Sequence, residues 1–139
     1  MLINISYNNK VIDRKINSLV GTPYSLADRL KKKGVGSPRL RINKSSEKIN
    51  NLLILDKNVN YCNIELRPKG IIVRFRSILE TYGLIIPFFK LNIHKETSNQ
   101  YSIFSENNYL KINVLKNDEY SFFKKLLDEK VSSTPKNPF

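Results

Sequence analysis

The chain has 139 residues and a formal net charge of +12, from 24 Lys plus Arg against 12 Asp plus Glu, with one His, one Cys, one Met and no Trp. That length suits one domain, or one with a small attached subdomain, and a hydrophobic content of 40% argues for a packed core and against disorder throughout. A single Cys excludes an intrachain disulfide, a Cys-rich zinc site and a CxxC redox pair, and a single His removes most metal and triad chemistry.

Residues 2–7 and 11–16 flank Asn8-Asn9, whose tolerance of positive φ predicts a hairpin turn. Ile3, Ile5 and Tyr7 alternate with Asn4 and Ser6, which predicts one buried face. A helix is predicted next, capped by Thr22, with Pro23 at its first position and Asp28 early in the run. Leu26, Ala27 and Leu30 give it a narrow apolar stripe. Lys31, Lys32 and Lys33 close it where the dipole favours cations, and Gly34 suits the left-handed cap. Gly34-Val35-Gly36-Ser37-Pro38 reads as a flexible loop. Alternation through Arg39-Leu40-Arg41-Ile42-Asn43-Lys44 predicts a strand with Arg39 and Arg41 on one face and Leu40 and Ile42 on the other. An apolar run over 49–55 ends at Asp56-Lys57-Asn58.

From Tyr61 onward the pattern is mostly strand. Residues 61–67 lead into a Pro68-Lys69-Gly70 turn. The next strand covers 71–79, with Ile71, Val73 and Phe75 on one face and Ile72, Arg74 and Arg76 on the other, and Glu80-Thr81 interrupts it. A long apolar run covers 82–94, where Pro87 implies an edge, a bulge or a bend. Residues 101–105 and 109–115 form a last hairpin around Glu106-Asn107-Asn108. The period then changes: over 118–130, Tyr120, Phe122, Phe123, Leu126 and Leu127 form a helical stripe. The chain therefore reads as α+β, mostly antiparallel β. A small hairpin, helix and strand part covers 1–58, with a boundary near Asn58. A β-meander with a closing C-terminal helix covers 59–130, as a bent sheet or open barrel. A flexible tail covers 131–139.

Charge is unevenly spread. Residues 1–28 carry net +1, residues 29–76 carry thirteen basic against three acidic side chains for net +10, and residues 77–139 carry net +1. The chain has 17 Asn, 17 Lys and 16 Ile but one Ala, so A/T-rich codons account for part of its lysine. They do not account for six of the seven arginines falling in 29–76. Local basic concentration is the footprint of an anionic partner. The expected anion-binding residues are Arg29, Lys31, Lys32, Lys33, Arg39, Arg41, Lys44, Arg67, Lys69, Arg74 and Arg76. The expected function is non-catalytic binding of RNA phosphates, in a ribonucleoprotein setting such as the ribosome. An anionic membrane surface or an acidic protein partner are the alternatives.

Residues 61–130 resemble a pleckstrin-homology or GRAM-type domain, a bent, partly open barrel plugged by a C-terminal helix. The phrase Lys69-Gly70-Ile71-Ile72-Val73-Arg74-Phe75-Arg76 is similar to the basic signature of lipid-binding members, a Lys, a gap and then Arg-x-Arg. The gap is shorter than the loop that cradles a headgroup in those members, and Phe122 and Phe123 stand where the closing helix commonly carries Trp. Over its whole length the chain also resembles short basic proteins of Bacteroidota, a resemblance that implies no activity.

No catalytic signature accompanies the charge. His94 sits in an apolar strand pattern, where a structural role is the ordinary one. Cys62 falls within a strand and is expected to pack as a small apolar side chain, with a Cys-His pair left open. Glu65 and Glu80 are the acids nearest the basic strands, and pairing with Arg74 or Arg76 is expected. The glycine loop lacks the Gly-Lys-Ser/Thr of a P-loop and follows a helix, although its amides would suit an anion nest. No enzyme activity, cofactor, metal or small-molecule substrate is expected. The N-terminus shows no basic leader followed by an apolar run, and the apolar stretch 84–89 falls far short of the roughly 20 residues of a membrane span, so a cytoplasmic protein is expected.

Overall fold

Alternating apolar side chains on successive strands build one large sheet, and the computed structural model describes residues 1–55 and 60–133 of it and its helices. In chain order the elements are β1 (Leu2–Asn4), α1 (Lys10–Val20), α2 (Leu26–Lys31), β2 (Leu40–Ser45), α3 (Glu47–Leu53), β3 (Tyr61–Arg67), β4 (Gly70–Ser77) and β5 (Glu80–Pro87). A 3-10 turn at Phe88–Lys90 leads to β6 (Asn92–Thr97), β7 (Gln100–Ser105), β8 (Asn108–Asn113) and α4 (Asn117–Ser133). The eight strands of the described residues pair antiparallel in the order β1-β5-β4-β3-β2-β8-β7-β6. β1 and β6 are the edges, so the sheet is open. The protein is α+β and mostly antiparallel β.

The inner face carries the main core. Cys62, Ile64 and Leu66 of β3 lie opposite Phe75, Val73 and Ile71 of β4, and Leu84 and Ile86 of β5 extend the row. Phe122, Phe123 and Leu126 of α4 cover this face, and Phe123 stacks on Tyr101 at 4.5 Å between ring centroids. Full burial of each such side chain contributes about 1.5–3 kcal/mol. The outer face carries a smaller cluster, in which Ile16 and Val20 of α1 pack on Ile72 of β4 and Ile85 of β5. Close approach is needed where β4 starts: a Cβ on Gly70 would lie 2.3 Å from the Ile86 carbonyl oxygen.

Several local expectations are corrected. Residues 11–16 are helix, not the second arm of a hairpin. Asn9 caps α1, its Oδ1 accepting from the Val11 and Ile12 amides at 2.9 and 3.3 Å. Ile12, Ile16, Leu19 and Val20 recur at helical spacing and reach one apolar cluster, which decides for helix. The second helix starts later than Thr22-Pro23, at Ser25, whose Oγ accepts from the Asp28 amide at 3.2 Å. The turn between β4 and β5 is Ile78-Leu79, because Ser77 and Glu80 are already register partners. Pro87 ends β5, and the Phe88–Lys90 turn bends the chain into β6. Residues 131–133, expected as tail, complete the last turn of α4, while 134–139 lie outside the described residues. The boundary expected near Asn58 also lies outside them. β2, which precedes that position, sits between β3 and β8, and β1 pairs with β5.

Candidate anion-binding cleft

The site follows from strand alternation on the outer face. Tyr61, Asn63, Glu65 and Arg67 of β3 point away from the main core, as do Ile72, Arg74 and Arg76 of β4. α1 covers Ile72 and Ile85 but leaves the Arg74–Arg76 end of β4 open. There an open cleft of about 630 Å³ is lined by Arg39, Tyr61, Asn63, Arg74, Arg76 and Thr81. No Asp or Glu lines it among the described residues. A second recess of about 360 Å³ shares Asn63 and Arg74 and reaches Arg29 beside Gly36 and Ser37. Arg39, Arg74 and Arg76 thus line the first cleft, and Arg29 and Arg74 line the second recess together with Glu65.

Arg39 is held by a ring. Its guanidinium carbon lies 3.8 Å from the centroid of Tyr61. Such a contact stabilises by about 0.5–2 kcal/mol. Arg41 shares that side, since it is the register partner of Tyr61. Arg76 is exposed, and its side chain has neither hydrogen bond nor ion pair among the described residues. Arg74 is shared: one Nη donates to Glu65 Oε1 at 2.5 Å. Glu65 Oε2 accepts from Arg67 Nε, also at 2.5 Å. Partial burial pushes the Glu65 carboxyl up, but the hydrogen bonds and charges of Arg67 and Arg74 outweigh it and hold it below the usual carboxylate range. Glu80 pairs elsewhere, accepting from Asn4 Nδ2 at 3.1 Å.

The other expected residues are dispersed. Arg67 is only 6% exposed and braces the sheet to the end of α1, donating to Asn17 Oδ1 at 3.2 Å and to the Gly21 carbonyl at 3.0 Å. It is structural. Lys69 sits at the far end of β4 from Arg76; at about 3.3 Å per residue the two are roughly 23 Å apart, so the Lys-gap-Arg-x-Arg signature does not converge on one point. Lys32 ties α2 to α4, its Nζ 2.6 Å from Glu129 and 5.0 Å from the Tyr24 centroid. Lys31 and Lys33 are exposed beside it. Lys44 follows a bulge in β2 and lies opposite Lys111. The glycine loop is tethered rather than flexible: the Leu66 amide donates to the Val35 carbonyl and the Ser37 amide to the Ile64 carbonyl, both at 2.8 Å. The Gly34 amide is given to the Arg29 carbonyl, so of the loop amides only those of Val35 and Gly36 are left to face an anion.

Three lining residues were not singled out from the sequence. Asn60, Asn63 and Thr81 supply polar groups at the arginine cleft, and only Asn63 had a signal, its alternation with Tyr61. Ile78 and Leu79, at the tip of the β4–β5 hairpin, are 54% and 83% exposed, and Ile78 borders the cleft. The strand pattern hides them. Burial pushes the Cys62 thiol up to about 12, which leaves it inert at neutral pH. His94 is exposed on edge strand β6, four strand spacings or roughly 19 Å from β3, so no Cys-His pair forms. Among the described residues no cluster of His, Cys, Asp and Glu suits a metal ion, and no helix is long and apolar enough to cross a membrane. No known protein family, curated protein or solved structure matches this chain.

Proposed function

We propose that the protein is a non-catalytic RNA-binding protein that holds phosphates in the outer-face cleft. The observation that carries this reading is the convergence of Arg39, Arg74 and Arg76 on one depression with no acid among its described lining residues. Arginine suits the task because its planar fork gives two parallel hydrogen bonds to a phosphate. Arg29 and Arg41 extend the charged path, and Lys31 and Lys33 add long-range attraction. Arg67 and Lys69 take no part.

About four phosphates are engaged in this reading, so affinity for single-stranded RNA falls with salt at a log–log slope of about −3. Filter binding of an RNA oligomer across a salt series tests it, and a flat salt response overturns it. Cosedimentation with ribosomes through a sucrose gradient at low and high salt tests the ribonucleoprotein setting.

The Ile78-Leu79 tip favours a second reading. Two exposed apolar side chains beside Arg76 suit the interface of an anionic membrane, in line with the pleckstrin-homology resemblance of 61–130. Each basic residue at such a surface contributes on the order of 1 kcal/mol. Pelleting with phosphatidylserine vesicles but not with neutral ones, together with no RNA binding, replaces the first reading by this one.

A further inference from the structure

We infer that the cleft takes a nucleotide of single-stranded RNA with its base stacked on the Arg39 guanidinium, while Arg74 and Arg76 hold the adjoining phosphates. This rests on the RNA-binding reading and adds what the protein recognises beyond charge.

Arg39 is placed as a platform. Among the described residues its side chain makes no ion pair and no hydrogen bond, and its guanidinium carbon lies over the Tyr61 ring, 3.8 Å from the centroid. One face of the guanidinium is thus covered by the ring. Arg39 is exposed and lines the cleft, so its side chain is accessible from the cleft. Tyr61 is a firm base for the stack, because it is half-buried and its backbone lies in β3 opposite Arg41. A base entering the cleft therefore continues a column of ring, guanidinium and base. Arginine planes and aromatic rings are the surfaces on which unpaired bases stack.

The surroundings suit a base joined to phosphates. Arg74 and Arg76 stand two residues apart on the same strand face, about 6.6 Å along it. Asn63, the register partner of Arg74, is exposed and its side chain makes no hydrogen bond among the described residues, which leaves its amide for a base edge. The volume, about 630 Å³, lies within the usual range of small-ligand clefts. A duplex gains little here, because its bases are already stacked and paired.

Arg39→Lys tests this, since it keeps the charge and removes the plane. Fluorescence anisotropy at one salt concentration compares four ligands: a labelled single-stranded RNA, an abasic ribose-phosphate chain of equal length, the duplex, and free AMP as a competitor. The expected result is that R39K weakens single-strand binding about tenfold, within the range for one stacked base, weakens abasic binding much less, and leaves the salt slope unchanged. Tyr61→Phe keeps the ring and should keep the affinity, and unchanged thermal melts show that both variants fold. If the native protein binds base-bearing and abasic chains alike, or if R39K weakens both equally, the stacking inference falls while the RNA reading stands. Tighter binding of the duplex than of the single strand also overturns it. Competition by AMP at the affinity of the oligomer makes the ligand a free nucleotide and overturns both. Absence of binding to every RNA ligand, with or without capture by phosphatidylserine vesicles, removes the RNA reading and this inference with it.

Discussion

Arg67 and Arg76 stand on neighbouring strands of one sheet face, yet their surroundings give them opposite tasks. Arg67 reaches a carboxylate, an amide and a carbonyl under the end of α1, whereas Arg76 meets solvent. Arg67→Met should therefore cost about 2–4 kcal/mol, because it strips partners from half-buried polar groups, and urea unfolding checks this. Arg76→Ala should leave stability within about 0.5 kcal/mol, and weaken RNA binding several-fold. Glu65 links the two tasks. Its folded-state pKa lies below its unfolded one, so its contribution to stability is complete above the unfolded value of about 4.3 and is lost as pH falls through the lower folded value. Glu65→Gln should lower stability at neutral pH and flatten the acid limb of a plot of urea midpoint against pH. It also releases Arg74, so RNA affinity should rise. A variant that is less stable and yet binds more tightly separates a brace from a recognition surface; equal loss of both would merge them.

At the scale of elements, the β4–β5 hairpin departs furthest from local preference. Ile78 holds φ at 59°, a left-handed conformation that a β-branched side chain adopts at a cost of order 1–3 kcal/mol. Two-residue hairpin loops ordinarily place Gly or Asn there. Ile78→Gly should accordingly stabilise the fold by about 1 kcal/mol, some 4 °C in a thermal melt, since relief of strain exceeds the added chain entropy. A lower midpoint would mean that Ile78 earns its place by packing. The same element shows what a sequence can express. β3, β4, β7, β8 and α4 were legible because their apolar period matches their structure and each buries one face. The Ile78-Leu79 turn was not, because it carries strand residues. α1 was not, because an Asn pair serves a turn and a helix cap equally well, and only the landing of Ile16 and Val20 on Ile72 and Ile85 decides. The cleft was legible in part for a related reason. Arginine clustering singled out Arg39, Arg74 and Arg76, but alternation along β3 puts Arg67 on the same outer face as Tyr61 and Asn63. What separates Arg67 from the cleft is α1 arriving over it, a long-range contact that no local pattern encodes.

For the molecule as a whole, the position of β2 governs how the chain can be divided. Charge and composition suggest a break near Asn58, and a meander from 61 to 130 has the strand count of an independent unit. The sheet is joined otherwise. β2 pairs with β3 through Leu40 and Arg41 on one side and with β8 through residues 41–45 on the other. Leu40 and Ile42 belong to the main core, and Val35 pairs with Leu66 from the loop just before. A fragment of residues 60–139 loses that strand. β3 and β8 would then face each other across a gap of one strand, and their backbone donors and acceptors would be exposed as two new edges. Ile49 and Leu53 of α3 would leave the core as well. Removing several fully buried side chains at about 1.5–3 kcal/mol each exceeds the stability of an ordinary domain. The fragment is therefore expected to lack a cooperative urea transition and to bind a hydrophobic dye, while adding residues 1–55 as a separate peptide should restore the transition. The cleft should behave in parallel, because Arg39 reaches Tyr61 only when β2 is in place: RNA affinity should return with the transition. A fragment that unfolds cooperatively by itself would mean that β3 and β8 can close on one another, and that β2 is an insertion into the sheet rather than its centre.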